Sequence, residues 1–287
     1  MLSPERLETY LRGAAMLGRE TVEVPPFVCF FSPGDPLRFF NYAKPLRPVG
    51  AEPDSLNDSL VALRTAFRTR DRMPRFEFIE EFAPDLGPAL VAAGFSLEER
   101  YPLLVCTPET LRPSPPIPGL TITMLTPDSP AEDLLACLTV QREGFGEIAG
   151  DLPTQVDVDD LRANLAEDGA FLARMEDVPA GAMMYTAPFD GLTELAGGTT
   201  IEAYRRRGIG AAMIAAAAAA AFARGVEIAF LTAASEYASG VFQRAGFKWY
   251  ATTLAYCEEA DLAGHGDKVT ESEVAASIPA SAPCRDS

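Results

Sequence analysis

This sequence predicts a mixed α/β fold built from two similar halves, and three observations carry that prediction. The first is alternation: through the second half, short strand-like runs such as "LTITMLT" (Leu120–Thr126) trade places with helical runs. The second is an internal echo, read as a repeat, with two ordinary strand-helix-strand units as its plain alternative. At an offset of 152 positions, "RFEFIEEFAPDLGPALVAAGF" (Arg75–Phe95) lies over "EIAFLTAASEYASGVFQRAGF" (Glu227–Phe247). Phe76 meets Ile228, Phe78 meets Phe230, and Ala93-Gly94-Phe95 meets Ala245-Gly246-Phe247. The third is "CTPETLRPSPPIPGL" (Cys106–Leu120), whose five prolines read as a linker between the halves. The expected class is α/β (α+β), each half a mixed central sheet flanked by helices.

In the second half, "SPAEDLLACLTVQREGF" opens with a capping-box pattern: Ser129, Glu132 three residues on, and Pro130 at the first helical position. "DVDDLRANLAE" reads as a more polar helix. "GAFLARMED" and "AGAMMYTAP" read as strands joined near Glu176 and Asp177. "PFDG" is a turn, and "LTELAGGTTI" a further strand. An alanine-rich helix follows, then strand "EIAFLTA", helix "YASGVFQRAGF" and closing strand "WYATTLAYC". In the first half, "FVCFFS" and "RFFNYAKPL" look like a strand pair. Their aromatics, Phe27 to Phe40, read as core and interface before ligand site. From Asp261 the chain is rich in Ala, Ser, Gly and charge without period, the pattern of a tail.

Composition excludes several functions. The formal net charge of -17 argues against nucleic acid and anionic membrane as partners. No apolar run is long enough to span a bilayer, and "MLSPERLETYLRG" carries charge where a secretory leader needs an apolar core. The expected location is the cytoplasm. The five cysteines (Cys29, Cys106, Cys137, Cys257, Cys284) form no Cys-x-x-Cys pair and read as small buried hydrophobes. His265 is the single histidine, so a multi-histidine metal site is excluded and no metal is expected.

Against this acidic background, "TTIEAYRRRGIGAAM" (Thr199–Met213) places three arginines at the mouth of a helix. A helix N-terminus offers unpaired N–H groups and the positive end of the macrodipole. Gly208 and Gly210 let that backbone approach a ligand closely, and an anion such as a diphosphate fits there. Three solvated arginines at a helix start is the alternative, although cations oppose the dipole at that end. A dinucleotide-binding fingerprint fails in detail, since "GIGAAM" ends in Met213 where Gly or Ala is needed.

"RRRGIG" is similar to the [Q/R]-x-x-G-x-[G/A] motif of the GCN5-related N-acetyltransferase (GNAT) family. The context resembles that family too: a strand ending "GGTTIEAY", the motif, a long helix, a strand, and a helix closing on "AGF". The resemblance covers roughly Leu120 to Glu258. It implies acetyl-CoA as co-substrate and direct transfer of acetyl to the amine of a small molecule or peptide. It implies that Thr199, Thr200 and Ile201 hold the pantetheine arm through backbone contacts. Arg205, Arg206, Arg207, Gly208, Ile209, Gly210 and Ala211 would bind the pyrophosphate. Ser235 stands where an asparagine often contacts the cofactor. Glu194, eleven residues before Arg205, matches the general-base glutamate of histone-type members; its plain alternative is a cross-strand or surface glutamate. The sequence departs from the pattern at Phe242, where many members carry a proton-donating tyrosine. Tyr237 is a substitute acid, though i and i+5 do not share a helix face well.

The echo then implies a tandem arrangement: a degenerate GNAT-like domain over 1–107, a linker over 108–119, the acetyltransferase domain over 120–260 and a tail over 261–287. Counting back 152 positions from "RRRGIG" gives "PDSLND" (Pro53–Asp58), with no arginine or glycine and two acids, so the first half should not bind CoA. A non-catalytic acyl-CoA-binding sensor or scaffold is the competing function. A longer acyl donor differs only in tunnel size. The acids Asp151, Asp157, Asp159 and Asp160 could draw in a cationic amine or simply face water. A monomer or homodimer is expected.

Overall fold

The computed structural model describes residues 1–49, 56–145 and 152–258. The tail from Asp261, with His265 and Cys284, lies outside the described residues, as do Asp151 and the first three residues of "PDSLND". The chain divides into two compact units. Unit 1 holds Met1–Leu103 and takes back the chain from Ala251; unit 2 holds Leu104–Tyr250.

Unit 1 begins with α1 (Pro4–Met16), capped by Ser3, whose hydroxyl accepts the Arg6 N–H at 3.2 Å. Then come β1 (Glu20–Val24), β2 (Phe27–Phe31), β3 (Tyr42–Pro45), α2 (Asn57–Arg68), β4 (Arg75–Ile79), α3 (Leu86–Ala92) and β5 (Phe95–Cys106), the last crossing into unit 2 at Leu104. β1, β2 and β3 pair antiparallel, and β3 runs parallel to β4. The expected pairing of "FVCFFS" with "RFFNYAKPL" forms only over Tyr42–Pro45; Arg38–Phe40 is a single 3-10 turn. The Asn41 amide holds it there, donating to Asp35 O at 2.9 Å and Leu37 O at 2.7 Å. The aromatics are core. Phe27 meets Phe76 edge-on at 5.0 Å, and Phe76 meets Phe95 at 5.4 Å.

The closing strand differs from expectation. β11 (Lys248–Glu258) reads from sequence as part of the second half, but from Ala251 onward it belongs to unit 1. There it runs antiparallel to β4, from Thr253 opposite Ile79 to Cys257 opposite Arg75. It covers a strand edge that would otherwise present open backbone groups. Its end is tied down by Glu258, which pairs with Arg64 and with Arg68, the latter at 2.7 Å.

Unit 2 contains β6 (Leu120–Leu125), α4 (Ala131–Gly144), α5 (Gln155–Asn164), β7 (Gly169–Met175), β8 (Val178–Tyr185), β9 (Leu192–Thr200), α6 (Ile209–Ala223), β10 (Ile228–Thr232) and α7 (Glu236–Arg244). The strand order is β6–β7–β8–β9–β10. Neighbours are antiparallel except β9 and β10, which are parallel. Two tight turns set the registers. Glu176 and Asp177 both take positive φ between β7 and β8, as do Asp190 and Gly191 before β9. The sheet is covered on both faces. Leu134, Val140, Val158 and Leu161 of α4 and α5 pack on Leu125, Leu172 and Met184. On the other face Met213, Ala217 and Ala221 of α6 pack on Phe171, Tyr185 and Leu195. Met213 lies so close to β8 that a Cβ on Gly181 would stand 2.6 Å from its Cε.

The capping box expected at Ser129 is not formed. The Ser129 hydroxyl instead accepts the Thr126 N–H at 2.9 Å, closing the preceding turn, and Pro130 takes the N-cap place. The reciprocal box sits at α5, between Thr154 and Asp157. The proline-rich stretch also differs from a free linker. It lies on unit 2, with the Arg112 N–H donating to Ala245 O at 3.0 Å and the Thr110 carbonyl against Gly246. With Ala212, Ala215, Ala216 and Ala219, Pro108, Pro113, Pro115 and Pro116 line a groove of about 460 Å³. This explains why α6 is apolar all round: one face meets the sheet and the other faces the prolines.

The echoed segments recur as elements. α2 begins at Asn57 and α6 at Ile209; β4 begins at Arg75 and β10 at Ile228; β5 begins at Phe95 and β11 at Lys248.

Candidate active site

The site begins at a fault in the sheet. β9 and β10 pair at Leu192–Ile228, Thr193–Ala229 and Glu194–Phe230. Among the described residues their ladder stops there, although β9 continues to Thr200 and β10 to Thr232. On its other side β9 stays paired with β8, and the register shifts between Ala182 and Met184. The extra residue falls at Gly197-Gly198, where Gly197 turns through φ 59°. A bulge increases local twist and swings the end of the strand. Parallel strands thus part at Glu194, opening a wedge along the last six residues of β9, about 20 Å at 3.3 Å per residue.

The wedge leads to the mouth of α6. Gly208 is its N-cap, at φ 86°, and no side chain caps the first turn. The first intrahelical bond in that turn is from the Ala212 N–H to Gly208 O, at 3.1 Å. The N–H groups of Ile209, Gly210 and Ala211 therefore face outward at the positive end of a 15-residue helix. Ile209 is buried, so its side chain is core and only its backbone is available. A Cβ on Gly208 would meet Ile117 Cδ1 at 3.2 Å, and one on Gly210 would meet Thr200 Oγ1 at 3.8 Å. The Thr200 side chain thus faces α6, whereas Thr199 faces α4. Ile201 closes the strand, its N–H donating to Ala180 O at 3.0 Å.

The three arginines are exposed and are not equivalent. Arg207 lies over the Tyr204 ring at 5.3 Å and donates to Ala203 O at 3.2 Å. Arg205 donates from Nε to Thr200 O at 3.0 Å and from a terminal nitrogen to Gly144 O at 3.2 Å. Arg206, at φ 62°, makes no hydrogen bond or ion pair among the described residues.

Residues 135–247 match the family model described as "Acetyltransferase (GNAT) family". Unit 2 carries a GNAT acyltransferase domain. That family transfers acyl groups from acyl-CoA, with acetyl-CoA as co-substrate. No curated protein matches the chain significantly. Among solved structures, a GCN5-related N-acetyltransferase from Kribbella flavida is 28% identical, covers 90% of this chain and 96% of its own, and superposes with a TM-score of 0.75. A GCN5-related N-acetyltransferase from Sphaerobacter thermophilus is 14% identical over 87% of this chain and 84% of its own, at a TM-score of 0.60. A tandem GNAT protein from the clavulanic acid biosynthesis pathway is 12% identical over 80% of this chain and 77% of its own, at 0.59.

Within the GNAT domain, Glu194 sits in the last paired position before the strands part, and its side chain is 7% exposed. By strand alternation it shares a face with Ala196, opposite Met184 of the α4/α5 core, and so points away from α6. Its backbone is fixed by Thr186, whose hydroxyl accepts the Glu194 N–H at 3.2 Å. Ser235 is the N-cap of α7, accepting the Ala238 N–H at 3.2 Å, a local structural duty. Tyr237, in the first turn of α7, is 62% exposed, and Phe242 packs against the α6 core. Asp157 serves the α5 capping box and pairs with Arg142 at 3.3 Å; Asp159 and Asp160 are exposed on the same helix.

Cys29, Cys106, Cys137 and Cys257 are buried, and burial pushes the Cys29 and Cys137 thiols up to about 12. Among the described residues no three His, Cys, Asp or Glu side chains cluster as metal ligands, and no helix is long and apolar enough to cross a membrane. The bulge at Gly197-Gly198 and the seating of α4 on β9 escaped the sequence reading. Paired glycines inside a strand pattern were the available signal.

Proposed function

We propose that this chain transfers acetyl from acetyl-CoA directly to a primary amine of a small molecule or peptide. The observation that carries the reading is the uncapped, glycine-led mouth of α6 at the end of a wedge between two parting parallel strands. The outward N–H groups of Ile209, Gly210 and Ala211 suit a pyrophosphate, with Arg206 as the cation left to meet it. The open edge of β9 through Thr199, Thr200 and Ile201 suits an amide-bearing pantetheine arm. That arm would bring the thioester toward Glu194.

In the reaction the amine nitrogen attacks the thioester carbonyl, the new N–C bond forms and the C–S bond breaks. The amine's proton passes to Glu194, directly or through water, and the CoA thiolate takes a proton from solvent. Tyr237 is the one tyrosine the sequence offered as acid, and its exposure favours solvent as the source. Cytoplasmic location and a degenerate, non-binding first domain belong to the same reading. The element recurrence at unit 1 and the acids of "PDSLND" support it. A sensor that binds acyl-CoA without turnover is favoured by one observation only, the phenyl ring at Phe242.

Calorimetry with CoA tests the binding half. Gly208→Asp should abolish binding while the protein stays folded, since Asp tolerates positive φ better than most residues; unchanged affinity would sink the assignment. For the chemistry, Glu194→Gln should lower kcat by 10²-fold or more on the order expected of a general base, at unchanged acetyl-CoA affinity. A screen of amines for CoA release supplies the acceptor. Tight CoA binding with no turnover across amines would favour the sensor.

A further inference from the structure

The first arginine of the motif does a different job from the second. Three contacts close the end of α4 onto the end of β9. The Gln141 side-chain nitrogen donates to Gly197 O at 3.4 Å, on the bulge itself. Gly144 lies against Thr199 with no room for a methyl group, since a Cβ there would stand 2.6 Å from Thr199 Cγ2 and closer still to Oγ1. The Arg205 fork then spans the two elements, with one donor on Thr200 O and another on Gly144 O. Gly144 O is among the last carbonyls of α4, which have no partner within the helix, and an arginine there also suits the negative end of its dipole.

The geometry points to Arg205 as a positioning residue that clasps the C-terminal end of α4 to the cofactor strand, while Arg206 is the phosphate-facing cation. This rests on the reading of the α6 mouth as the CoA site. A guanidinium presents five N–H donors in a fixed planar fork. Arg205 spends two of them on two carbonyls from different elements. Arg206 spends none among the described residues and itself takes a positive φ, two residues before Gly208. The consequence is coupling. α4 flanks the face to which Glu194 points, and Arg205 adds to the Gln141 and Gly144 contacts a fork that ties its seating to that of the acyl-CoA strand.

The test combines hydrogen exchange of the α4 C-terminal peptide with calorimetry, using CoA as the probe on the full chain. Arg205→Ala should speed exchange of amides 141–145 in CoA-free protein about five- to tenfold, the factor of one lost hydrogen bond. Its CoA affinity should stay within about threefold of wild type, the scatter of a single exposed contact. Arg205→Lys should behave like Arg205→Ala in exchange, because charge is restored and the fork is not. Arg206→Ala should weaken CoA about tenfold, as loss of a charge-assisted phosphate bond does, and leave exchange at 141–145 unchanged.

The inference is overturned if Arg205→Ala weakens CoA as much as Arg206→Ala, with Arg205→Lys restoring affinity and exchange staying flat. If Arg205→Ala proves too unstable to compare, Arg205→Lys decides alone: fast exchange supports the clasp and wild-type exchange refutes it. Should wild-type protein fail to bind CoA while both Arg205 variants still loosen α4, the clasp stands and the CoA reading falls.

Discussion

Gly144→Ala is the most informative single change in the GNAT domain, because the structure fixes its cost within narrow bounds. The added methyl would sit 2.6 Å from Thr199 Cγ2 and 2.9 Å from Thr199 Cβ, with Oγ1 nearer still. Thr199 is 9% exposed and β-branched, so it has few rotamers into which to retreat. Either α4 lifts or β9 bends, and overpacking of this kind costs about 1–3 kcal/mol. At about 2 kcal/mol the melting midpoint of a unit this size should fall by roughly 4–8 °C. CoA binding should weaken as well, since Thr199 and Thr200 would be pushed out of line.

A second change makes the reasoning strict. Thr199→Ala removes two of the three crowding atoms, so the double variant should recover about 1 kcal/mol or more of the single variant's loss. Thermal melting by circular dichroism, paired with CoA calorimetry, reads both quantities. If Gly144→Ala melts within about 1 °C of wild type, the steric argument fails, since it requires a displacement. If the double variant recovers nothing, the strain lies elsewhere than at Thr199.

Two further outcomes are expected. In unit 1, Lys44 is 1% exposed and pairs with the fully buried Glu8 at 3.2 Å, while Glu8 also accepts the Ile79 N–H at 3.0 Å. Burial works against the Lys44 charge, but Glu8 and Glu77 outweigh it and hold the ammonium above its usual range. Lys44→Met should therefore cost about 3–5 kcal/mol by stranding Glu8. Lys44→Met with Glu8→Gln should cost less, because Gln still accepts from Ile79; equal losses in chemical denaturation would refute the pairing. At α5, Thr154→Ala should cost about 1 kcal/mol near neutral pH. The Thr154 backbone N–H, then the Thr154 hydroxyl and Arg142, hold the Asp157 carboxyl below its ordinary value near 3.8, although its slight burial works the other way. A depressed carboxylate lends stability above its unfolded value and loses it as pH falls through the folded one. The gap between variant and wild type should thus narrow below about pH 4, as the capping carboxylate protonates. A gap constant from pH 7 to 3 would count against the box.

The strands and helices of unit 2 were legible because their residues repeat with clear periods and their turns carry Asp, Gly and Pro at the right places. The mouth of α6 was legible because Gly208 and Gly210 interrupt a run of arginine and alanine for which little but close backbone approach gives a reason. What sequence could not supply was anything set by distant partners. Ser129 has the chemistry of a cap, yet the Thr126 N–H is nearer. Arg205 and Arg206 look interchangeable until Gly144 O is placed beside one of them. The prolines of 106–120 read as a spacer, since nothing local shows that an alanine-rich helix needs a cover. The closing strand was assigned by adjacency in the chain, whereas the open edge of β4 claims its far end.

That last feature has a consequence for how the protein is made. Residues 251–258 complete the sheet of unit 1, so the first hundred residues leave the ribosome without the strand that covers β4. Unit 1 waits, with β4 uncovered, until the whole of unit 2 has been synthesised. Of the two units, the one encoded earlier is therefore completed later. The pairing of Thr253 with Ile79 joins residues far apart in the chain, the kind of long closure that slows folding.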